Sequence, residues 1–372
     1  MVLVPLALLM KPTLTTSASD PFAVLKMMTG VFDGQVAGFV SPPEITGIGV
    51  DFDPVPSQVS DDVGLIVESS GSTGRPKRLE ISLAALIASA NASAKFLGGH
   101  GQWLLALPAN YIAGANVLFR SVVADTQPVI QNTRVPFSAE GFLNSVSLMR
   151  GSKRYTSLVP AQLDRLAAHA DLESKDNAVI AALQSFDAIL IGGQLPNLAT
   201  LESLKSRGVN LVESYGMAET SGGCVYDGQA LEGVNLEIID GQVAVSGPVL
   251  ANGVGEKFLS SDLGEVVNGR LKIIGRADRV IVSGGKKISL DDVEAKVAAE
   301  EGVTEVIAVA LDSKWGQSVG LVLAASEGFD EANLQRILLG PEKPIAVQRV
   351  SQVPRLMSGK PDYQAASALL AD

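Results

Sequence analysis

Short apolar runs recur along the middle of the chain, spaced to leave room for a helix between them. Residues 63–67, 103–107, 128–130, 155–159, 188–191 and 209–212 are runs of strand length. Helical spacing fills the intervals at roughly 80–97, 112–124, 138–150, 160–170 and 196–207. Strands alternating with helices predict α/β layers around a largely parallel sheet. Residues 1–60 are weakly patterned. The apolar stretch 2–10 predicts a buried first strand, because it is too short to span a bilayer and lacks the basic start and small-residue cleavage site of a signal peptide.

The texture changes after about residue 225. Asp240-Gly241 separates alternating runs at 236–239 and 243–246, and Asn268-Gly269 separates 265–267 from 271–274. Both dipeptides favour the two-residue turns whose central residues need positive φ, so each predicts a hairpin. A small antiparallel sheet or barrel attached to the α/β body follows. Over 277–372 a helix at 289–300, strands at 303–311 and 318–325, a helix at 331–338 and a strand at 345–350 predict a compact α+β domain. The fold class expected is α/β: a layered N-terminal domain with a small antiparallel β-subdomain, then a smaller C-terminal α+β domain.

Composition narrows the chemistry. With 372 residues, two unequal domains are the default. Aromatics are 5% and the formal net charge is −11, so stacking platforms and a broad cationic footprint for nucleic acid are both disfavoured. Cys224 is the single cysteine, which excludes an intrachain disulfide and fits a cytoplasmic protein. Two histidines, His100 and His169, make a zinc site improbable.

The segment after the run at 63–67 is Glu68-Ser69-Ser70-Gly71-Ser72-Thr73-Gly74-Arg75-Pro76-Lys77. Glycines let backbone N–H groups close on an anion, hydroxyls donate to it, and Lys77 supplies charge. The segment lacks the Gly-Lys-Ser/Thr ending of a Walker A loop, which disfavours GTPases and ordinary ATPases. Alone it indicates a phosphate site or an ordinary polar loop.

Ser69 to Lys77 resembles the phosphate loop of the adenylate-forming superfamily, which includes acyl-CoA ligases, luciferases and peptide-synthetase adenylation domains. The superfamily's other motifs follow in order. Gly192-Gly193-Gln194 is similar to its adenine loop, and Tyr215-Gly216-Met217-Ala218-Glu219-Thr220 to its Tyr-Gly-x-x-Glu-Thr element. Ser261-Asp262-Leu263-Gly264 resembles its ribose element and Gly275-Arg276-Ala277-Asp278 its hinge. Ser283-Gly284-Gly285 is similar to its pantetheine tunnel, and Pro354 to Lys360 to its catalytic-lysine segment.

The resemblance implies ATP, Mg²⁺ and coenzyme A as co-substrate, with two half-reactions. Thr73, Lys77 and the amides of 69–74 would hold the phosphates, and Glu219 would anchor Mg²⁺. The Tyr215 ring would lie against adenine, with Gly216 and Met217 also binding ATP or AMP, while Asp262 would accept from the ribose hydroxyls and Arg276 reach the ribose or phosphate. Lys360 would serve adenylation, after which a mobile domain at 277–372 turns about Asp278 against an N-terminal domain at 1–275. CoA would then enter past Ser283, Gly284 and Gly285. Among such enzymes the chain looks like the o-succinylbenzoate–CoA ligases of menaquinone biosynthesis in actinobacteria, whose shortness it shares. This rests on 107–114, Leu118-Phe119-Arg120-Ser121, 157–163 and 215–228. Small-molecule partners, no nucleic acid and no membrane insertion follow. Tyr111, Ser157, Gln162, Gly222 and Gly223 are candidate acyl-pocket walls, and Arg120 and Arg154 candidate cations for a second substrate carboxylate.

Three positions depart from the family's pattern. Asn110 and Tyr111 stand where a histidine is usual, Arg279 where the hinge usually has a second Asp, and Arg78 where glycine usually follows the loop lysine. They leave open a ligase for another aryl or fatty acid, or a homologue impaired in catalysis.

Overall fold

The computed structural model describes residues 9–43, 54–69, 77–132, 134–172, 177–314, 316–356 and 360–371. The loop 70–76, most of the apolar stretch 2–10, and residues 357–359 lie outside these. By packing, the chain divides into one unit of Met1–Leu236 with Val245–Phe258 and a second of Glu237–Ala244 with Leu259–Asp372.

The first unit carries the expected parallel sheet. Seven strands lie in the order Gln229–Ala230, Gly222–Tyr226, Leu211–Met217, Ala188–Gly192, Arg154–Leu158, Gln102–Leu105, Val129–Ile130. The five from Leu211–Met217 to Val129–Ile130 are mutually parallel, and Gly222–Tyr226 returns antiparallel. Helices Ile112–Val123, Ala139–Ser147, Pro160–Leu172 and Leu198–Ser206 fall on the expected intervals. Phe142, Leu158, Leu166, Leu183 and Ile189 form part of one buried cluster with this sheet.

The sequence pattern missed a second sheet. Its order is Gln58–Ser60, Met10–Ser17, Ala37–Ser41, Val63–Ser69, Lys77–Ser82. Between its strands lies helix Pro21–Phe32, started by Pro21 and by Asp20, whose side chain accepts from the Ala23 N–H at 3.0 Å. Val24, Met27, Met28 and Val31 are its buried stripe, each contributing on the order of 1.5–3 kcal/mol. The first described strand begins at Met10, where the expectation placed a buried strand over 2–10, and Leu9 and Met10 are exposed. The helix expected from residue 80 begins at Leu83. Lys77–Ser82 is a strand antiparallel to Val63–Ser69, and Ser82 caps the helix by accepting from the Ala85 N–H at 3.1 Å. Alternation at Leu79 and Ile81, both buried, overrides the helical tendency there.

Past residue 235 both hairpins occur. Asp240 and Gly241 have φ of 51° and 83°, and Asn268 and Gly269 of 53° and 75°, as two-residue turns of this hand require. Strands Asn235–Ile239, Gln242–Ser246, Lys257–Val267 and Arg270–Arg276 form a four-stranded sheet in that order. Most of it packs with the C-terminal segment, so residue 276 lies inside the second unit. One reason is direct: the Arg276 N–H donates to Asp291 Oδ2 at 2.9 Å.

The rest of the second unit is a sheet of Lys286–Ser289, Val280–Ser283, Gly316–Ala325 and Val303–Ser313, with Ala346–Arg349 parallel to Gly316–Ala325. Helix Leu290–Ala298 buries Leu290, Val293 and Val297. The hairpin Val280–Ser283/Lys286–Ser289 and helix Tyr363–Ala368 were not expected.

Candidate active site

In the first unit the motifs gather at one edge of the parallel sheet. Leu105, Leu158, Gly192 and Met217 end their strands there, and the residues that follow are the segments marked by the sequence. Ligands of open α/β sheets bind outside the carboxyl ends of the strands, because loops and helix N-termini converge there. The Ser/Thr/Gly loop joins Val63–Ser69 to Lys77–Ser82, so its two ends, Ser69 and Lys77, face each other across a ladder.

Glu219 sits on the turn Ala218–Thr220, in contact with both loop-bearing strands. The turn is rigidly held. Thr220 Oγ1 accepts from the Met217 N–H at 3.0 Å and lies 2.8 Å from the Gly222 carbonyl oxygen. The Ala251 N–H donates to the Glu219 carbonyl oxygen at 2.8 Å, and Asn116 Nδ2 to that of Ser221 at 2.8 Å. Gly216 is needed because the Gly222 backbone occupies the place of its would-be Cβ, at an irregularity between Tyr215 and Gly216.

Among the described residues no group of three or more His, Cys, Asp or Glu side chains could form a metal cage. A half-buried Glu219 on a fixed turn against the strands that flank the Ser/Thr/Gly segment fits a different demand. Magnesium takes one or two protein carboxylates and completes its shell with phosphate and water.

The candidate acyl walls have mixed standing. Ser157 is buried on its strand, and Tyr111 precedes helix Ile112–Val123. The amide of Gln162 is committed to the backbone: Nε2 donates to the Ala106 carbonyl at 2.9 Å and Oε1 accepts from the Val159 N–H at 3.1 Å. Asn116 and Ser214 occupy the Cβ positions of Gly222 and Gly223 respectively. The Asn110 Oδ1 is buried with no hydrogen-bond partner among the described residues.

The two candidate cations separate clearly. Arg154 starts its strand, at the edge opposite the motifs, and its Nε donates to the Gly151 carbonyl at 3.1 Å. Arg120 is buried, 5.1 Å over the Trp103 ring, with Nη2 donating to the Tyr226 hydroxyl at 3.1 Å. Its Nε has no acceptor, and none of the ion pairs among the described residues includes it. The Tyr226 ring lies against Gly223, so Arg120 stands one side chain away from that glycine.

Arg78 is now explained. It faces Glu68 across the ladder and donates to Glu68 Oε1 at 2.9 Å and to the Pro54 carbonyl at 3.0 Å. Its guanidinium lies 5.5 Å from the centre of the Phe39 ring. It fastens the hairpin beneath the loop.

In the second unit Asp262 and Arg276 face each other across an antiparallel ladder. Arg276 forms a two-pronged bond with Asp278, Nε to Oδ1 at 2.8 Å and Nη2 to Oδ2 at 2.6 Å, and reaches Asp262 Oδ1 with Nη1 at 3.2 Å. The hydrogen bond and charge of Arg276 hold the Asp278 carboxyl below the usual carboxylate range against partial burial. Gly284 and Gly285 form a hairpin turn with φ of 55° and 81°, and nothing lies near their missing Cβ positions. The turn geometry alone accounts for both glycines.

Arg279 is buried. Nε donates to Asp291 Oδ1, Nη2 to Glu294 Oε1 at 2.6 Å, Nη1 to the Ala308 carbonyl at 3.4 Å, and the guanidinium lies 4.1 Å from the centre of the Tyr363 ring. Burial pushes the Glu294 carboxyl up to about 7, against the pull of Arg279 and of the Ala308 N–H. Burial likewise lifts the Tyr363 hydroxyl to about 12. Glu68, Asp291, Glu294 and Tyr363 carried no sequence signal, because their significance lies in partners remote along the chain. Lys360 is exposed, its carbonyl accepts from the Leu356 N–H at 2.8 Å, and Arg355 pairs with Pro361.

The family model described as "AMP-binding enzyme" matches residues 12–254. The chain belongs to this family. A relative from Mycobacterium tuberculosis, named "Probable 2-succinylbenzoate--CoA ligase", is 37% identical over 334 residues, covering 84% of this chain and 85% of the relative. Among solved structures, o-succinylbenzoate CoA synthetase from Bacillus subtilis in complex with its acyl-adenylate intermediate superposes with a TM-score of 0.70. The match covers 92% of this chain and 80% of that one at 22% identity. The same enzyme with ATP and magnesium ion gives 0.69 at 21%, over 92% and 81%. These likenesses bear out the adenylate-forming fold. No described helix is long and apolar enough to cross a membrane.

Proposed function

We propose that the chain is an AMP-forming acid–CoA ligase that adenylates o-succinylbenzoate and passes the acyl group to coenzyme A, a step of menaquinone biosynthesis. The observation that carries this reading is the packing of the Glu219 turn against the two strands that bear the Ser/Thr/Gly loop. The 37% identical relative, named for this activity, supports the substrate.

In the first half-reaction a substrate carboxylate oxygen attacks the α-phosphorus of ATP. A new O–P bond forms, and the bond to the bridging oxygen breaks to release pyrophosphate. The chain's task is to position the reactants and neutralise charge. The loop 69–77 with Thr73 and Lys77 takes the phosphates, Gly192–Gln194 and Tyr215–Met217 the adenine, and Asp262 and Arg276 the ribose. Lys360 approaches the developing charge at the α-phosphate. Glu219 would hold magnesium together with the nucleotide, and the ion would supply charge neutralisation on the phosphates. In the second half-reaction the segment beyond Asp278 turns, Lys360 leaves, and the CoA thiolate attacks the acyl carbon by way of the 283–285 turn, expelling AMP. Cellular ATP and CoA place this chemistry in the cytoplasm.

Arg120 is the group for the second carboxylate of the substrate. A buried guanidinium with a vacant N–H, and no carboxylate paired with it among the described residues, favours an anion. Arg154 Nε is already bonded to the Gly151 carbonyl, whereas Arg120 Nε has no acceptor among the described residues. The test is acid-dependent ATP–pyrophosphate exchange, with thioester formation as a second readout. o-Succinylbenzoate should support both, and benzoate should be at least about tenfold poorer, the scale of one lost charged hydrogen bond. Exchange that ignores the added acid, or prefers benzoate, rejects the reading.

A further inference from the structure

Asp278 is gripped on both sides. Before it, Arg276 binds the Asp278 carboxylate with its side chain and Asp291 with its N–H. After it, Arg279 binds the other oxygen of Asp291, then Glu294 and the Ala308 carbonyl. One face of the Arg279 guanidinium is covered by Tyr363, from a distant part of the chain.

Tyr363 opens the last helix, Tyr363–Ala368, three positions after Lys360. The residues on either side of Lys360 are tied together: the Asp362 N–H donates to the Pro354 carbonyl at 3.0 Å, and Arg355 pairs with Pro361. One flank is tied to the sheet by Arg355, whose Nη2 donates to Glu305 Oε1 at 2.7 Å. Buried Val353 and Ala366 share a cluster with Ile307, Val309, Val322 and Ala324. These contacts hold the tail to its own sheet. Tyr363 ties it to the hinge as well.

We infer that Arg279 and Tyr363 form a brace that fixes the segment 360–363 to the hinge, making both of them positioning residues for Lys360. The inference rests on the reading of Lys360 as the adenylation lysine. A cation and a flat ring in face contact, partly shielded from water, resist sliding and tilting better than an aliphatic contact of similar area. Asp291 and Glu294 immobilise the cation, so the ring has a fixed surface to rest on. When the segment turns about Asp278, the brace carries Lys360 as part of one rigid piece. A small displacement of a group aimed at developing charge costs rate steeply, so the brace acts on adenylation. Thioester formation proceeds with Lys360 withdrawn and does not depend on it.

The experiment uses the full chain with o-succinylbenzoate and two assays, ATP–pyrophosphate exchange and conversion of pre-formed acyl-adenylate and CoA to thioester. Tyr363→Leu should lower exchange about tenfold and leave thioester formation within about twofold. Tyr363→Phe keeps the ring and should stay within about twofold in both. Tyr363 is half-exposed, so neither substitution endangers the fold. Arg279→Lys, which keeps the charge and loses the planar face, should fall between the two. Equal losses in both half-reactions for Tyr363→Leu, or no loss in either, overturn the brace, as does a Phe variant no better than Leu. Lys360→Ala separates the two readings. If it keeps exchange, the adenylation role of Lys360 fails and the brace with it. If it loses exchange while Tyr363→Leu shows no split, the brace alone fails.

Discussion

Arg78 in the first unit and Arg279 in the second are the same device in two settings. Each adjoins a segment singled out in the sequence, at a position where the family's pattern usually has another residue, and each rests on an aromatic ring and a carboxylate. Arg78 is partly exposed and joins neighbours: the facing residue of its own hairpin, Phe39 and the nearby Pro54 carbonyl. Arg279 is buried and reaches three segments: helix Leu290–Ala298 through Asp291 and Glu294, strand Val303–Ser313 through Ala308, and helix Tyr363–Ala368 through Tyr363. Burial and the reach of the partners, more than the residue type, decide whether an added cation fastens a hairpin or ties the residues beside Asp278 to a distant tail.

The comparison breaks most visibly at Arg279. Arg279→Met leaves two carboxylates facing each other without their cation and should cost the second unit about 3–5 kcal/mol, read by urea unfolding of the full chain. A loss under about 1 kcal/mol would place Arg279 with ordinary surface pairs and dissolve the contrast. Next in size is Lys360→Ala, expected to reduce acid-dependent exchange roughly 10²-fold while sparing thioester formation from pre-formed adenylate. Equal losses in both assays would remove the reason for a tail held in register.

The pH dependence of the second unit is smaller and sharpens the same point. Glu294, faced by Arg279, Asp291 and Tyr363, is lifted by burial from 4.5 to about 7. Between those values the folded unit keeps a proton that the unfolded chain has lost. The stability so contributed is complete below about 4.5 and is lost as pH rises through about 7. Unfolding measured from about pH 5 to about pH 7.5 should therefore show falling stability, by at most about 1.4 kcal/mol per pH unit, and Glu294→Gln should flatten the profile. A parent profile as flat as that of the variant would mean that Glu294 is ionised throughout. The smallest effect belongs to Arg78→Gly, worth about 1 kcal/mol of stability with ATP affinity unchanged within about twofold. A tenfold loss of ATP affinity would move Arg78 into the phosphate site.

Much of the architecture was legible because it is local. Asp240-Gly241 and Asn268-Gly269 specify their turns unaided, and the parallel sheet follows from apolar runs that need no distant information. The helix Pro21–Phe32 was legible too, from Asp20-Pro21 and the stripe Val24, Met27, Met28 and Val31, and was missed beside weaker patterning. The start of the helix at Leu83 was misplaced because Leu79 and Ile81 read as either period until the ladder to Val63–Ser69 is seen. The site motifs stood out through their order along the chain. Gly284 and Gly285 illustrate the opposite difficulty, since a pair of glycines looks the same whether a turn or a ligand demands it. Arg78 and Arg279 could not be understood from their own surroundings, because Phe39, Pro54, Glu294 and Tyr363 act on them only after folding.

A residue satisfied on four sides also restricts how its neighbourhood can change over generations. Removing Arg279 alone strands two acids, and removing Asp291 or Glu294 alone unbalances the remainder, so single replacements pass through a weakened protein. Relatives with a carboxylate at this hinge position should therefore differ from this chain at several of the positions 279, 291, 294 and 363 together. The four should then be inherited together, although position 363 lies far from the other three in the sequence.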